Sequence, residues 1–139
     1  MAAIDLGLGR YYFGQAITLN GNLQLLTTTM NFEVDAADLL GEITGRNVGD
    51  KDIPVGSIFT AITKTQVSGH TPHLTWIDLG VAATIRLTLK NVEFYGRNIE
   101  VIPQGHPAKL IVEGDDMDIL ISLLQARKAR EHIFIACST

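Results

Sequence analysis

Residues 84–92, TIRLTLKNV, are the stretch that decides the fold. Aliphatic and polar residues alternate along it; the aliphatic ones are Ile85, Leu87 and Leu89, and the polar ones are Thr84, Arg86, Thr88 and Lys90. Successive side chains of a strand point to opposite faces, so the pattern predicts a strand with one buried and one wet face. Val92 and Phe94 fall out of phase with the aliphatic set, which predicts a bulge or a twist near Asn91.

The chain after this strand predicts further turns and strands, then a helix. Tyr95-Gly96 and Pro103-Gln104-Gly105 read as turns around a strand at 99–102, and a second strand follows at 108–112. Residues 115–131 read as the longest helix, acidic in its first turns and basic in its last, as the helix dipole favours. Residues 133–137, IFIAC, predict a buried terminal strand.

The chain before this strand predicts a hairpin, a short helix, a loop and a β-rich run. Asn20-Gly21 lies between two strand-like segments and signals a hairpin. Residues 35–45, DAADLLGEITG, predict a short helix capped by Asp35. The polar stretch 46–54 reads as a loop and a boundary between subregions. Residues 57–67 are β-rich, and 69–74 read as a loop.

The composition predicts one globular domain. The chain has 139 residues, of which 46% are hydrophobic and 19% charged, within the usual range for a folded domain. We expect a single domain, 1–139, with an N-terminal part at 1–50 and the remainder at 51–139. No apolar run approaches the roughly 20 residues of a membrane helix, and the one cysteine, Cys137, predicts a reducing cytoplasm.

Residues 53–120 resemble the β-barrel second domain of translation GTPases of the elongation factor Tu class. The segments that carry the resemblance are IPVGSIFTAI and TIRLTLKNVEFYGRNIEVIPQGHPAKLIVEGDDMDIL, with Gly105 at a corner and Gly114 at a strand end. The resemblance implies a small β-barrel, here with an N-terminal hairpin and a C-terminal helix plus strand, mainly β with one long helix (α+β). In that family the barrel contacts the GTPase domain and RNA, but this chain has no phosphate-binding GxxxxGK[ST] loop.

No set of residues predicts a catalytic or metal site, and we expect no cofactor. His70 and His73 have His106, His132 and Cys137 elsewhere in the chain, a spacing that does not predict zinc ligation. An acidic cluster fits a helix start better than a calcium loop; its members are Asp115, Asp116 and Asp118. A site assembled in space remains an alternative, for example from Asp78, His106 and Glu113.

Two segments combine aromatic and polar residues suited to binding. The first is the turn that contains Tyr95, Arg97 and Asn98, where an aromatic ring and a guanidinium stand together. The second is the loop that contains His70, His73 and Trp76.

The preferred function is a non-catalytic protein-binding module. The net charge of −4 suits a basic protein partner, so one version is an immunity or antitoxin-like protein that caps a basic toxin. An RNA- or ribosome-associated module is the alternative that the resemblance favours, although only eleven Lys and Arg residues are present. An enzyme with an unrecognised site is the third possibility, and the oligomeric state is left open.

Overall fold

A computed structural model of the chain describes residues 16–19 and 22–25 by their backbone, and residues 30–137 in full. Within these residues the chain is mainly β, with eleven strands and one short helix. The strands are β1 Ala16–Leu19, β2 Asn22–Leu25, β3 Asn31–Ala37, β4 Glu42–Asn47, β5 Ile53–Pro54, β6 Ile58–His70, β7 His73–Phe94, β8 Arg97–Ile99, β9 Val101–Ile102, β10 Pro107–Glu113 and β11 Glu131–Cys137, and the helix is α1 Met117–Gln125.

One large antiparallel sheet organises the molecule. Its seven strands run in the order β10-β4-β3-β11-β6-β7-β8, and it curls so that β10 also pairs with β7. β5 and β9 form a separate two-stranded sheet. The structure shows a large β-sheet, and the small barrel of the elongation factor class is not confirmed as its specific fold.

The predicted N-terminal hairpin is present in its described part. β1 and β2 pair antiparallel, with Leu19 opposite Asn22. Asn20 and Gly21, and the remainder of both predicted strands, lie outside the described residues.

The hydrophobic core lies on one face of the curled sheet, under α1. Residues of several strands and of α1 form it, among them Phe32, Ile43, Phe59, Ile62, Leu87, Leu89, Leu110, Leu120, Ile133 and Ile135. Burial of a side chain of this size contributes about 1.5–3 kcal/mol, so the packing of distant strands on one another holds the sheet in its curled form.

The strand predicted at 84–92 is confirmed, as part of a much longer one. β7 is 22 residues long, and Ile85, Leu87 and Leu89 are buried while Arg86 and Lys90 are exposed. Of the predicted bulge or twist, the structure shows a bulge: Asn91 pairs with Ile111 and Leu89 pairs with Val112, so Lys90 is the extra residue. The bulge restores the phase of the strand and lets Val92 be buried.

The short helix predicted at 35–45 is wrong, because this segment forms the β3–β4 hairpin. The Asp38 carboxylate accepts hydrogen bonds from the backbone N–H groups of Leu40 (2.9 Å) and Glu42 (3.2 Å) and so closes the turn. Gly41 has φ +89, and a Cβ there would overlap the carbonyl oxygen of Val112. Gly45 lets β4 approach β3 closely, since a Cβ there would overlap the Glu33 carbonyl oxygen.

The polar stretch 46–54 is held by one buried side chain, that of Asn47 at the end of β4. Asn47 is fully buried, and its Nδ2 donates to the carbonyl oxygens of Lys51 and Ile102, both at 2.9 Å. Its Oδ1 accepts from the backbone N–H of Gly49 at 3.0 Å. One amide therefore fastens this stretch to β9.

The C-terminal helix is shorter than predicted. It ends at Gln125, and the predicted basic last turn lies in the loop before β11. Arg130 has φ +69 in this loop, a left-handed conformation that a right-handed helix reaching residue 131 could not contain. Asp116 stands at the helix start but makes no side-chain cap; its Oδ2 accepts from the backbone N–H of Arg86 at 2.8 Å. The predicted terminal strand is confirmed as β11.

Candidate functional site

The far end of the β6–β7 hairpin extends beyond its neighbour β10. β6 pairs with β7 from the Ile58–Thr88 pair to the His70–His73 pair at the tip, whereas β10 meets β7 only from Thr88 onward. We call residues 63–81 the arm. Among the described residues, no strand pairs with the outer edge of β7 along the arm.

The arm carries a band of exposed apolar side chains, which we call the apolar patch. Its members are Leu74, Trp76, Ile77, Leu79 and Val81, each between 43% and 62% exposed. Alternate residues of a strand point to opposite faces, so Ile77 lies on the face opposite to Trp76. Leu79 is an extra residue between the Asp78–Thr65 and Gly80–Lys64 pairs. The patch therefore lies on both faces of an edge with which no described strand pairs.

The three residues predicted for the second binding segment all lie on the arm. His70 and His73 are a cross-strand pair at its tip, and both are exposed. The predicted loop at 69–74 is shorter than expected, because only Thr71 and Pro72 separate the two strands. Trp76 stands further along β7, opposite Val67.

The indole of Trp76 lies beside a histidine that sequence reasoning did not connect to it. The ring centroids of Trp76 and His132 are 5.5 Å apart, and Nδ1 of His132 lies 2.6 Å from a carboxylate oxygen of Glu33. His132 pairs with Thr65, which pairs with Asp78, so these residues cross the sheet together at the base of the patch. The spacing of these residues in the sequence does not predict this grouping, because it depends on β11 pairing with β6.

The predicted Tyr95 turn exists as a separate surface at the other end of β7. Phe94 pairs with Arg97, and the two residues between them have positive φ, +51 at Tyr95 and +78 at Gly96. The side chain of Tyr95 is 85% exposed. Its ring centroid lies 4.3 Å from that of Phe94.

The other members of this turn are held by local contacts. The ring of His106 meets Phe94 edge-on, with centroids 5.4 Å apart. Asn98 Oδ1 accepts from Asn91 Nδ2 at 3.2 Å, and Arg97 is exposed. The turn and the arm stand at opposite ends of β7, so they are two surfaces and not one site.

The structure does not bring the alternative catalytic set together. Asp78 lies on the arm opposite Thr65, His106 packs beside Phe94, and Glu113 pairs with Thr88. Asp78 and Thr88 are separated by roughly 30 Å along an extended strand. Within the described part of the chain, no three His, Cys, Asp or Glu side chains cluster as metal ligands would.

Cys137 is a buried thiol on β11. Burial raises its pKa to about 12, with a smaller opposing effect from a hydrogen bond with Ser57. A thiol is nucleophilic only as the thiolate, so this environment suppresses its reactivity.

Among residues 30–137 and the two short N-terminal strands, no helix combines the length and apolar character needed to cross a membrane.

Comparison with protein-family models, with curated proteins and with solved structures found no match to this chain. The resemblance to the elongation factor barrel therefore stays a prediction, and the surfaces themselves carry the functional argument.

Proposed function

We propose that this protein is a non-catalytic protein-binding module whose contact surface is the arm. The observation that supports it is the apolar patch on the part of β7 that extends beyond β10. Five large apolar side chains lie together there, each at least 43% exposed. Contiguous apolar surface of this kind is rare on monomeric proteins unless it binds something.

The arrangement of the patch suits a protein rather than a small molecule. Unpaired N–H and C=O groups along an edge strand can form backbone hydrogen bonds with an added strand, and the flanking side chains provide specificity. Trp76 offers a large, rigid contact surface, and the ring of His132, which is bonded to Glu33, lies beside it. Aromatic anchors supported in this way dominate binding energies at interfaces.

In its finer form, the proposal is a cytoplasmic immunity or antitoxin-like protein that caps a basic toxin. The net charge of −4 supports it, because an acidic surface speeds encounter with a basic protein. The apolar patch would then provide the short-range contact.

An RNA- or ribosome-associated module, in the manner of the elongation factor barrels, is the second candidate. One observation favours it: Arg127, Lys128 and Arg130 are exposed in the loop before β11, and Arg130 donates to the carbonyl oxygen of Gly69 on the arm. The positive charge of Arg130 therefore lies near the tip of the arm.

A capture experiment with matched variants tests the proposal. The immobilised wild-type protein should retain a specific protein from its host in a stoichiometric amount. The double substitution Trp76→Ser, Ile77→Ser should abolish retention, whereas Leu39→Ser, Leu40→Ser should not, although both of those leucines are more exposed.

The alternatives give different results in the same experiment. Retention of RNA that is lost as salt rises would favour the second candidate. Retention of the same protein by the arm variant would refute the arm as the contact surface.

A further inference from the structure

We propose that the tip of the arm binds one divalent transition-metal ion between the imidazoles of His70 and His73. The inference goes beyond the proposed function and does not depend on it, because the site is made by the turn and not by the apolar patch. It is supported by the register of the two strands, by the availability of both imidazoles and by the class of ion that imidazole prefers.

The register of the arm places the two histidines directly opposite one another. His70 ends β6, His73 begins β7, and the two residues are partners across the strand pair. Opposite residues of an antiparallel pair share a face, with Cβ atoms about 4.5–5.5 Å apart. Two imidazoles at this spacing can each bring a nitrogen to within about 3 Å of the other. That separation suits adjacent ligands at the ~2.0–2.1 Å distance between metal and nitrogen.

The chain around the tip holds this register. Only Thr71 and Pro72 separate the two histidines, and the ring of a proline fixes its φ. A Cβ at Gly69 would overlap the carbonyl oxygen of His73, so the two strands approach closely just before the turn. The Arg130 side chain donates to the carbonyl oxygen of Gly69. The pair is therefore preorganised, and little conformational entropy is lost when a metal joins the two rings.

The tip imidazoles are available as ligands, whereas the other two of the four histidines are engaged. The ring of His132 is bonded to Glu33, and that of His106 packs on Phe94. Both tip histidines are exposed. Within the described part of the chain, no hydrogen bond joins either tip ring to another residue. Two unengaged imidazoles therefore meet at one place in the molecule.

The donor atoms select the class of ion. Copper, nickel and zinc accept imidazole ligands readily, whereas magnesium and calcium prefer oxygen. Two protein ligands leave the remaining coordination positions to water, in keeping with the finding that no three ligand side chains cluster in the described residues. Among divalent ions Cu²⁺ should bind most tightly, followed by Ni²⁺ and Zn²⁺. The guanidinium of Arg130 near the tip weakens the binding of every cation without changing this order.

Titration calorimetry of the untagged full chain with nickel chloride at neutral pH tests the site. The wild type should bind one Ni²⁺ per chain. His70→Asn and His73→Asn should each weaken binding about 100-fold, because the second nitrogen binds intramolecularly once the first is in place. The matched substitution His106→Asn should leave the affinity unchanged, and magnesium chloride should give no heat of binding. Circular dichroism of each variant confirms that the fold is retained.

NMR spectroscopy locates the metal without any substitution. Cu²⁺ is paramagnetic and broadens the signals of nearby nuclei. Small amounts of Cu²⁺ added to the wild type should broaden the ring signals of His70 and His73 before those of His106 and His132.

Several outcomes would overturn the site. These are a wild type that binds no Ni²⁺, one metal shared between two chains, and an affinity that either tip substitution leaves unchanged. An equal loss of affinity in the His106→Asn variant would do the same, as would copper broadening that begins at His106 or His132.

Discussion

Tyr95 holds a backbone conformation that is unfavourable for its residue type. Its φ of +51 lies in the left-handed region, which costs a residue with a Cβ about 1–2 kcal/mol. Two-residue hairpin turns with positive φ at both positions favour Asn-Gly, and here only the glycine is present. Tyr95 therefore occupies a position where an asparagine would suit the turn better.

The cost at Tyr95 can be measured with a pair of substitutions. Tyr95→Asn and Tyr95→Ala both remove the ring that contacts Phe94, but only Asn tolerates the left-handed region. We expect the Asn variant to exceed the Ala variant in free energy of unfolding by ~1 kcal/mol, measured by urea denaturation. Equal stabilities would show that the turn relaxes around the side chain.

The Tyr95 turn also remains a predicted contact surface. Changing Tyr95 and Arg97 together to Ala should weaken binding of a partner by ~2 kcal/mol or more with little change in thermal melting. Titration calorimetry beside a thermal melt measures both quantities. Unchanged affinity would leave the arm as the remaining predicted surface.

Cys137 should be inert in the folded protein. With a pKa of about 12, roughly one thiol in ten thousand is ionised at pH 8. We expect no reaction with Ellman's reagent in buffer and complete reaction in denaturant. Below pH 9.0, the ordinary pKa of a thiol, the burial of protonated Cys137 contributes its full effect to the free energy of unfolding. This contribution is lost as the pH rises toward 12, because only the unfolded chain ionises its thiol in that interval. Rapid reaction of the folded protein would place the thiol at an accessible position.

At the scale of elements, β7 shows what alternation in sequence predicts well. Its buried face at Ile85, Leu87 and Leu89 and its bulge at Lys90 both follow from the period of the pattern. The sequence does not predict that residues 63–81 form one long hairpin, because Trp76, Ile77 and Leu79 break the alternation of apolar and polar residues. A segment that is apolar on both faces is equally typical of a buried strand. The pairing of His132 with Thr65 depends on contacts between distant strands, which single-sequence patterns do not contain.

The face of β7 that packs inward can be tested by a matched pair of truncations. Leu87 is fully buried and Lys90 is exposed. Leu87→Ala should lower the free energy of unfolding by ~2–5 kcal/mol, and Lys90→Ala should change it by less than ~0.5 kcal/mol. Equal effects in chemical denaturation would mean that the register of β7 is wrong.

The β3–β4 hairpin shows where local propensity failed. Asp35, Leu39, Leu40 and Gly45 match a helix pattern. In the structure, however, Gly41 and Gly45 lie where the backbone of a neighbouring strand leaves no room for a Cβ.

A pair of glycine substitutions can test this close packing. Both Gly41 and Gly56 have positive φ, +89 and +97, yet of these two only Gly41 would place a Cβ against another atom. Gly56→Ala should therefore lower the free energy of unfolding by ~1 kcal/mol, and Gly41→Ala should lower it by clearly more. Thermal denaturation measures both changes. Similar losses would mean that the hairpin shifts to make room.

At the scale of the whole molecule, the two predicted subregions share one sheet. β3 and β4 belong to residues 1–50, yet they lie between β10 and β11, which belong to residues 51–139. A fragment of residues 51–139 should therefore fail to fold, giving a narrow amide region in its NMR spectrum. Dispersed amide signals from that fragment would establish an independent C-terminal domain.

The central place of β11 has a consequence for synthesis of the chain. It lies between β3 and β6, and its Ala136 pairs with Asn31, more than one hundred residues earlier. A ribosome needs roughly 5–20 s to make a stretch of that length. During this interval β3 and β6 each have an edge awaiting the same strand, so neither can complete its ladder. The sheet therefore cannot be completed before β11 has been made, and until then those two edges are open to pairing with each other or with a neighbouring nascent chain.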